Sequence, residues 1–75
     1  MTRLPRVTSQ DAYRALIRAG FIEIATRGGH RQLRRPDGSG RVTIPYHSGR
    51  LIPPGTLRSI LEQAGMTAEE FIALL

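Results

Sequence analysis

Two turn signals only six residues apart force the middle of this chain into a β-meander. Gly28-Gly29 and the run Pro36-Asp37-Gly38-Ser39-Gly40 leave residues 30–35 between them, too short for a helix and the length of a strand. Upstream, Phe21–Thr26 is β-branched and aromatic and alternates about Glu23. Downstream, residues 41–46 place Val42, Ile44 and Tyr46 on one face. Three short antiparallel strands are therefore predicted, at about 21–26, 30–35 and 41–46.

Helical patterns flank the meander. Thr8 with Asp11 is a weak capping box, and Ala12, Ala15, Leu16 and Ala19 follow at helical spacing before Gly20, so the first helix is predicted over 9–19. Beyond Pro53-Pro54-Gly55, Leu57, Ile60, Leu61 and Ala64 fall at i, i+3, i+4 and i+7, the pattern of a helix laid on a core, and Gly65 ends it. Thr67 and Glu70 cap a last helix, with Met66 and Phe71 placed as its hydrophobic staple. The predicted class is α+β, in the order α-β-β-β-α-α, with the helices on one sheet face and the other face open. Residues 1–75 read as one domain, in which 1–7 is a basic lead-in expected to fray.

With 75 residues, the chain buries only about 60% of its unfolded surface, enough for a modest core and a shallow surface site. The absence of cysteine removes disulfide frameworks and the usual zinc spacings, so no metal and no small-molecule cofactor is expected. No apolar run approaches the ~20 residues of a membrane span, and the default is a soluble cytoplasmic protein without a membrane partner.

Charge says more than composition. Residues 27–50 hold six arginines (27, 31, 34, 35, 41 and 50) against Asp37 alone, while the other five arginines are matched by five acids. The whole net charge of +5 thus lies in the hairpin and its exit loop, the footprint of a phosphate-binding surface. All eleven basic residues are arginine, which phosphate recognition and a GC-rich genome explain equally well.

The two histidines belong to this basic segment. A turn centred between Gly38 and Ser39 would set Leu33 against Ile44, Arg35 against Val42 and His30 against His47, on the face away from the core. Gln32 and Arg34 would share that face and Arg31 would point the other way. Cleaving RNA without metal needs a base for the 2′-OH and an acid for the leaving 5′-oxygen, and histidine suits both near neutral pH. His30 is therefore the candidate catalytic residue, with His47 as its candidate partner. Gly28, Gly29, Arg27, Arg31, Arg34, Arg41 and Arg50 are the candidate RNA-binding residues. The plainer readings are a solvated histidine pair, a simple Gly-Gly hairpin turn, arginines that only keep the surface soluble, and Tyr46 as core rather than a base-stacking platform.

The run GFIEIATRGGHRQLRRPDGSGRVTIPYH, followed by PGTLRSILEQAG, resembles the HicA (YcfA-like) toxins of toxin–antitoxin pairs over roughly residues 9–72. The resemblance implies a double-stranded-RNA-binding-domain-like fold, metal-independent mRNA interferase activity, and a HicB-type antitoxin that masks the site. It maps the family's catalytic histidine onto His30. The family usually carries serine where this chain has Gly29, and often a second histidine where it has Arg31. His47 is then the remaining partner, or His30 works with arginine alone.

Two other functions compete. A non-catalytic RNA-binding module of the same fold would not need a histidine at the turn. A helix-turn-helix DNA binder would use residues 57–75, but its recognition helix would carry Glu69 and Glu70 and no base-reading side chain.

Overall fold

The computed structural model describes residues 2–75. Helix α1 (Ser9–Arg18) precedes strands β1 (Ile22–Arg27), β2 (His30–Arg34) and β3 (Arg41–Pro45), and helices α2 (Pro54–Ala64) and α3 (Ala68–Ala73) close the order. The strands form one antiparallel sheet in the order β1-β2-β3. This is the predicted α+β, double-stranded-RNA-binding-domain-like arrangement. No described helix is long and apolar enough to cross a membrane.

The element ends follow local chemistry. Thr8 and Thr67 each form a reciprocal capping box, with Asp11 and Glu70 respectively. Helix α2 begins differently: Pro53 supplies no side-chain cap and Pro54 occupies the first turn. It ends at Gly65, whose φ of 68° is the left-handed conformation glycine accepts without strain. Leu33, Val42 and Ile44 of the sheet meet Ala12, Ala15 and Leu16 of α1 and Leu57, Ile60, Leu61 and Ala64 of α2 in one apolar cluster. Phe71 of α3 is fully buried in it, and Met66 packs at its margin, as the staple pattern predicts.

Three expectations are corrected. The β2–β3 ladder pairs Leu33 with Val42 and Arg31 with Ile44, so its register is two residues away from the expected one. The cause is the turn. Asp37 Oδ1 accepts from Ser39 N–H and Oγ–H at 2.9 and 2.6 Å, and Gly38 N–H donates to Arg35 O at 2.8 Å. These bonds close a loop over 35–40, and pairing starts at Arg34–Arg41. A slip of two leaves every side chain on its expected face. Second, Arg35 does not face Val42: it leaves the strand and donates from Nε and Nη2 to Gln63 O at 3.2 and 2.7 Å, capping the end of α2. Third, the lead-in is tied down at Leu4 and Val7, its first residue lying outside the described residues. Val7 is 5% exposed and Leu4 packs on the core. Ile52 N–H donates to Val7 O at 2.8 Å, and Thr8 bridges to Leu51.

Candidate functional site

The β1–β2 turn is the two-residue loop Gly28-Gly29 between the paired Arg27 and His30. Gly28 has φ 52° and Gly29 does not lie in the left-handed region, so positive φ falls on the first central residue alone, the type II′ pattern. This turn sets His30 at the start of β2 with its side chain exposed.

His30 pairs with Pro45, and the predicted His30–His47 pairing is absent from the ladder. The two histidine segments nonetheless converge. Tyr46 N–H donates to Gly29 O, and His47 Cε1 lies 3.6 Å from where a Cβ on Gly29 would sit. The His47 ring therefore rests against the glycine turn that carries His30. Ser9, 2% exposed, holds this arrangement from below. Its Oγ–H donates to Pro45 O at 2.9 Å, and its Oγ accepts from His47 N–H at 3.3 Å. Arg50 N–H then donates to His47 O at 3.1 Å, with Gly49 at φ 78° completing the turn.

His30 opens onto a groove of about 370 Å³ between the edge of β3 and the first turns of α2. Thr43 and Pro45 line its sheet side, and Gly55, Thr56 and Ser59 its helix side. Outward-facing backbone groups on an edge strand need partners. Thr43 N–H donates to Gln63 Oε1 at 2.8 Å, and Pro45 has no N–H to satisfy. On α2, Gly55 and Thr56 N–H lack intrahelical acceptors, because the first turn has none and Pro53 brings no side-chain cap. The residues that carry an imidazole, two N–H groups without intrahelical acceptors and two hydroxyls on α2 thus line one open groove. Such a groove can hold an anion and exchange a proton with it.

The predicted arginines divide. Arg27, Arg34 and Arg41 line a shallow groove of about 410 Å³ on the open sheet face, where Arg41 Nη1 donates to Gln32 Oε1 at 3.3 Å. Arg50 is exposed beside the His47 turn. Arg31 lies on the opposite, helix-facing side. Its guanidinium stands 4.7 Å from the ring centre of Tyr13 and 4.2 Å from that of Tyr46, and it pairs with Glu23 at 3.3 Å. The two rings meet edge to face at 6.1 Å.

Glu23 also accepts from Tyr13 Oη–H at 3.0 Å and Thr26 Oγ1–H at 2.8 Å. The Thr26 hydroxyl, with Tyr13 and Arg31 adding to it, holds the Glu23 carboxyl below the usual range. Burial, and then Glu23, push the Tyr13 phenol up. Tyr46 is half-buried as part of this cage.

Sequence reasoning did not find Ser9, Thr43, Thr56, Ser59 or Gln63. Thr56 and Ser59 did carry a signal, as hydroxyls three apart on a helix that opens without a cap. Among the described residues, no three His, Cys, Asp or Glu side chains converge as metal ligands. In comparison with known proteins, the family described as HicA toxin of bacterial toxin-antitoxin matches residues 9–66. No curated protein matches the chain.

Proposed function

The chain belongs to the HicA toxin family, the toxins of bacterial toxin–antitoxin pairs, and we propose that it is an endoribonuclease acting on single-stranded mRNA through His30. The observation that carries this reading is the groove in which His30 faces the uncapped start of α2. A phosphodiester lying there accepts from Gly55 and Thr56 N–H and from the Thr56 and Ser59 hydroxyls. Charge building on its non-bridging oxygens is stabilised by donors already in place.

In the proposed reaction, a base removes the 2′-OH proton and the 2′-oxygen forms a bond to phosphorus. The P–O5′ bond breaks, and an acid protonates the departing 5′-oxygen. The ends are a 2′,3′-cyclic phosphate and a 5′-hydroxyl. His30 takes one proton role. The other falls either to His47, which packs against the same turn without lining the groove, or to His30 itself working with arginine, and the His47→Ala variant separates the two.

Membership in the family implies a cognate antitoxin. We assign it to the HicB type, with an acidic surface that covers the open-face arginines and His30.

The test is cleavage of a labelled single-stranded RNA by the purified chain in EDTA, beside His30→Ala and His47→Ala. Positioned acid–base groups contribute about 10²–10⁴-fold, so His30→Ala should lose at least about a hundredfold in rate. RNA bound but left intact by the parent chain would mean a non-catalytic binding module instead.

A further inference from the structure

A second basic groove lies on the other side of the α2 start. Arg3 and Arg6 from the N-terminal segment and Arg58 from α2 line an open groove of about 510 Å³, closed by Leu4 and Pro54. The sequence hides it twice. The segment reads as a fraying tail, and its charge cancels against acids elsewhere in the chain. In the fold three of those acids are engaged away from the groove: Asp11 and Glu70 cap their own helices and Glu23 sits in the tyrosine cage. Two acids lie near its margin: Glu69 accepts at 2.6 Å from Thr2, which lines the groove, and Glu62 follows Arg58 by one turn of α2. Among the described residues none of the three guanidiniums has a carboxylate partner, the single ion pair being Arg31–Glu23.

The segment is held firmly enough to present these side chains. Leu4 packs on the core, Val7 O accepts from Ile52 N–H, and Thr2 is bonded to Glu69 at the start of α3. Three like charges converging on one groove repel each other, and an anion relieves that repulsion. The planar guanidinium fork matches a phosphate in particular.

Position favours a nucleic acid strand. Pro54 and Arg58 are one helical turn apart and line this groove, while Gly55 and Ser59, next to them, line the His30 groove. The first turns of α2 are therefore a shared wall between the two.

We propose that the Arg3–Arg6–Arg58 groove binds the phosphodiester backbone of the RNA whose scissile phosphate occupies the His30 groove, the strand crossing the start of α2 between them. The inference rests on the nuclease reading. It adds a substrate path and a second phosphate site outside the hairpin.

The experiment measures binding of a single-stranded RNA of about 20 nucleotides as a function of salt, in a His30→Ala background that keeps the RNA intact. Each phosphate contact on a single strand contributes about 0.7 to the slope of log K against log salt, so Arg3→Gln/Arg6→Gln/Arg58→Gln should flatten it by about two. Arg14→Gln, outside the groove, should leave the slope unchanged. The single variants, each expected to lower it by about 0.7, keep the test available if the triple variant does not fold. An unchanged slope in the variants, with RNA bound by the parent, overturns this inference and leaves the nuclease reading standing. A parent chain that binds no RNA overturns both. A triple variant that keeps its RNA slope but loses the antitoxin assigns the groove to the protein partner and also overturns it.

Discussion

Replacing Arg31 with glutamine separates a structural arginine from a phosphate-binding one. In the fold its guanidinium lies between Tyr13 and Tyr46 and reaches Glu23 at 3.3 Å. That distance is long for a charge-assisted hydrogen bond, and both side chains are about 30% exposed, so the ion pair contributes at the low end of about 0.2–1 kcal/mol. Two partly exposed cation–π contacts add about 0.5–1 kcal/mol each. Arg31→Gln should therefore destabilise by about 1–2 kcal/mol, most of it from the stack, which lowers Tm by on the order of 10 °C in a domain of this size. Arg31→Lys should fall between, because an ammonium can pair with Glu23 but cannot lie flat between two rings. Glu23→Gln, which still accepts from Thr26 and Tyr13, should cost clearly less than Arg31→Gln. Thermal melts of the three variants by circular dichroism decide the matter. A Glu23→Gln loss equal to that of Arg31→Gln would refute the stacking argument. An undisturbed melt of Arg31→Gln, joined to an RNA-binding salt slope lower by about 0.7, would put the guanidinium on phosphate after all.

Acid should weaken the fold through Glu23 and Asp11. Asp11 is held low chiefly by the Thr8 backbone N–H, with the Thr8 hydroxyl and Arg14 adding to it, and Glu23 chiefly by the Thr26 hydroxyl. Because the folded values lie below the unfolded ones, this stability is complete above about pH 5 and is lost as pH falls through the folded values. Melts from pH 7 to pH 2 should show a plateau and then a decline that Asp11→Asn and Glu23→Gln make shallower. The two turn glycines should respond oppositely to alanine. Gly28 at φ 52° should lose about 1–2 kcal/mol, as expected for an L-residue forced into the left-handed region. Gly29, with ordinary contacts to His47 and Tyr46 and no positive φ, should tolerate alanine or gain about 0.4–1 kcal/mol, read by denaturant titration.

The sheet was legible because its turns are written in glycine, proline and aspartate, and the faces of β2 and β3 because parity survives a register error of two. In β1 the apolar Ile22 and Ile24 are exposed instead, because Glu23 turns inward to Tyr13 and Arg31 and a bulge between Glu23 and Ala25 interrupts the ladder. Pairing was not, since it depended on whether the turn closed around Gly38-Ser39 or as the wider loop that Asp37 organises. The position of His30 on the open face follows from parity. The approach of His47 does not, because it comes through Ser9, which is 38 residues away along the chain. The N-terminal segment was misread for a related reason. Leu4 and Val7 are two isolated apolar residues with no periodicity, and only the fold supplies the Ile52 N–H and core surface that hold them.

The arginines show why a charge count overstates a binding surface. A domain this small has too little apolar surface to close every margin of its core, and long amphipathic side chains fill the gap. Arg31 covers the helix-facing side of the central strand against Tyr13 and Tyr46, Arg35 caps α2 through Gln63 O, and Arg18 donates to Leu74 O at 2.7 Å beside α3. Two of the six arginines in the basic hairpin segment are thereby occupied, and four remain: Arg27, Arg34, Arg41 and Arg50. Conversely, Arg3, Arg6 and Arg58 lie in segments whose linear charge is balanced, yet they converge in space. A ligand's field is set by which guanidiniums the fold leaves unpaired. On that measure the His30 groove is flanked by basic surface on both sides, with the open sheet face on one and the start of α2 on the other. A polyanion strand seated on His30 therefore meets arginine in both directions, which a footprint confined to the hairpin would not provide.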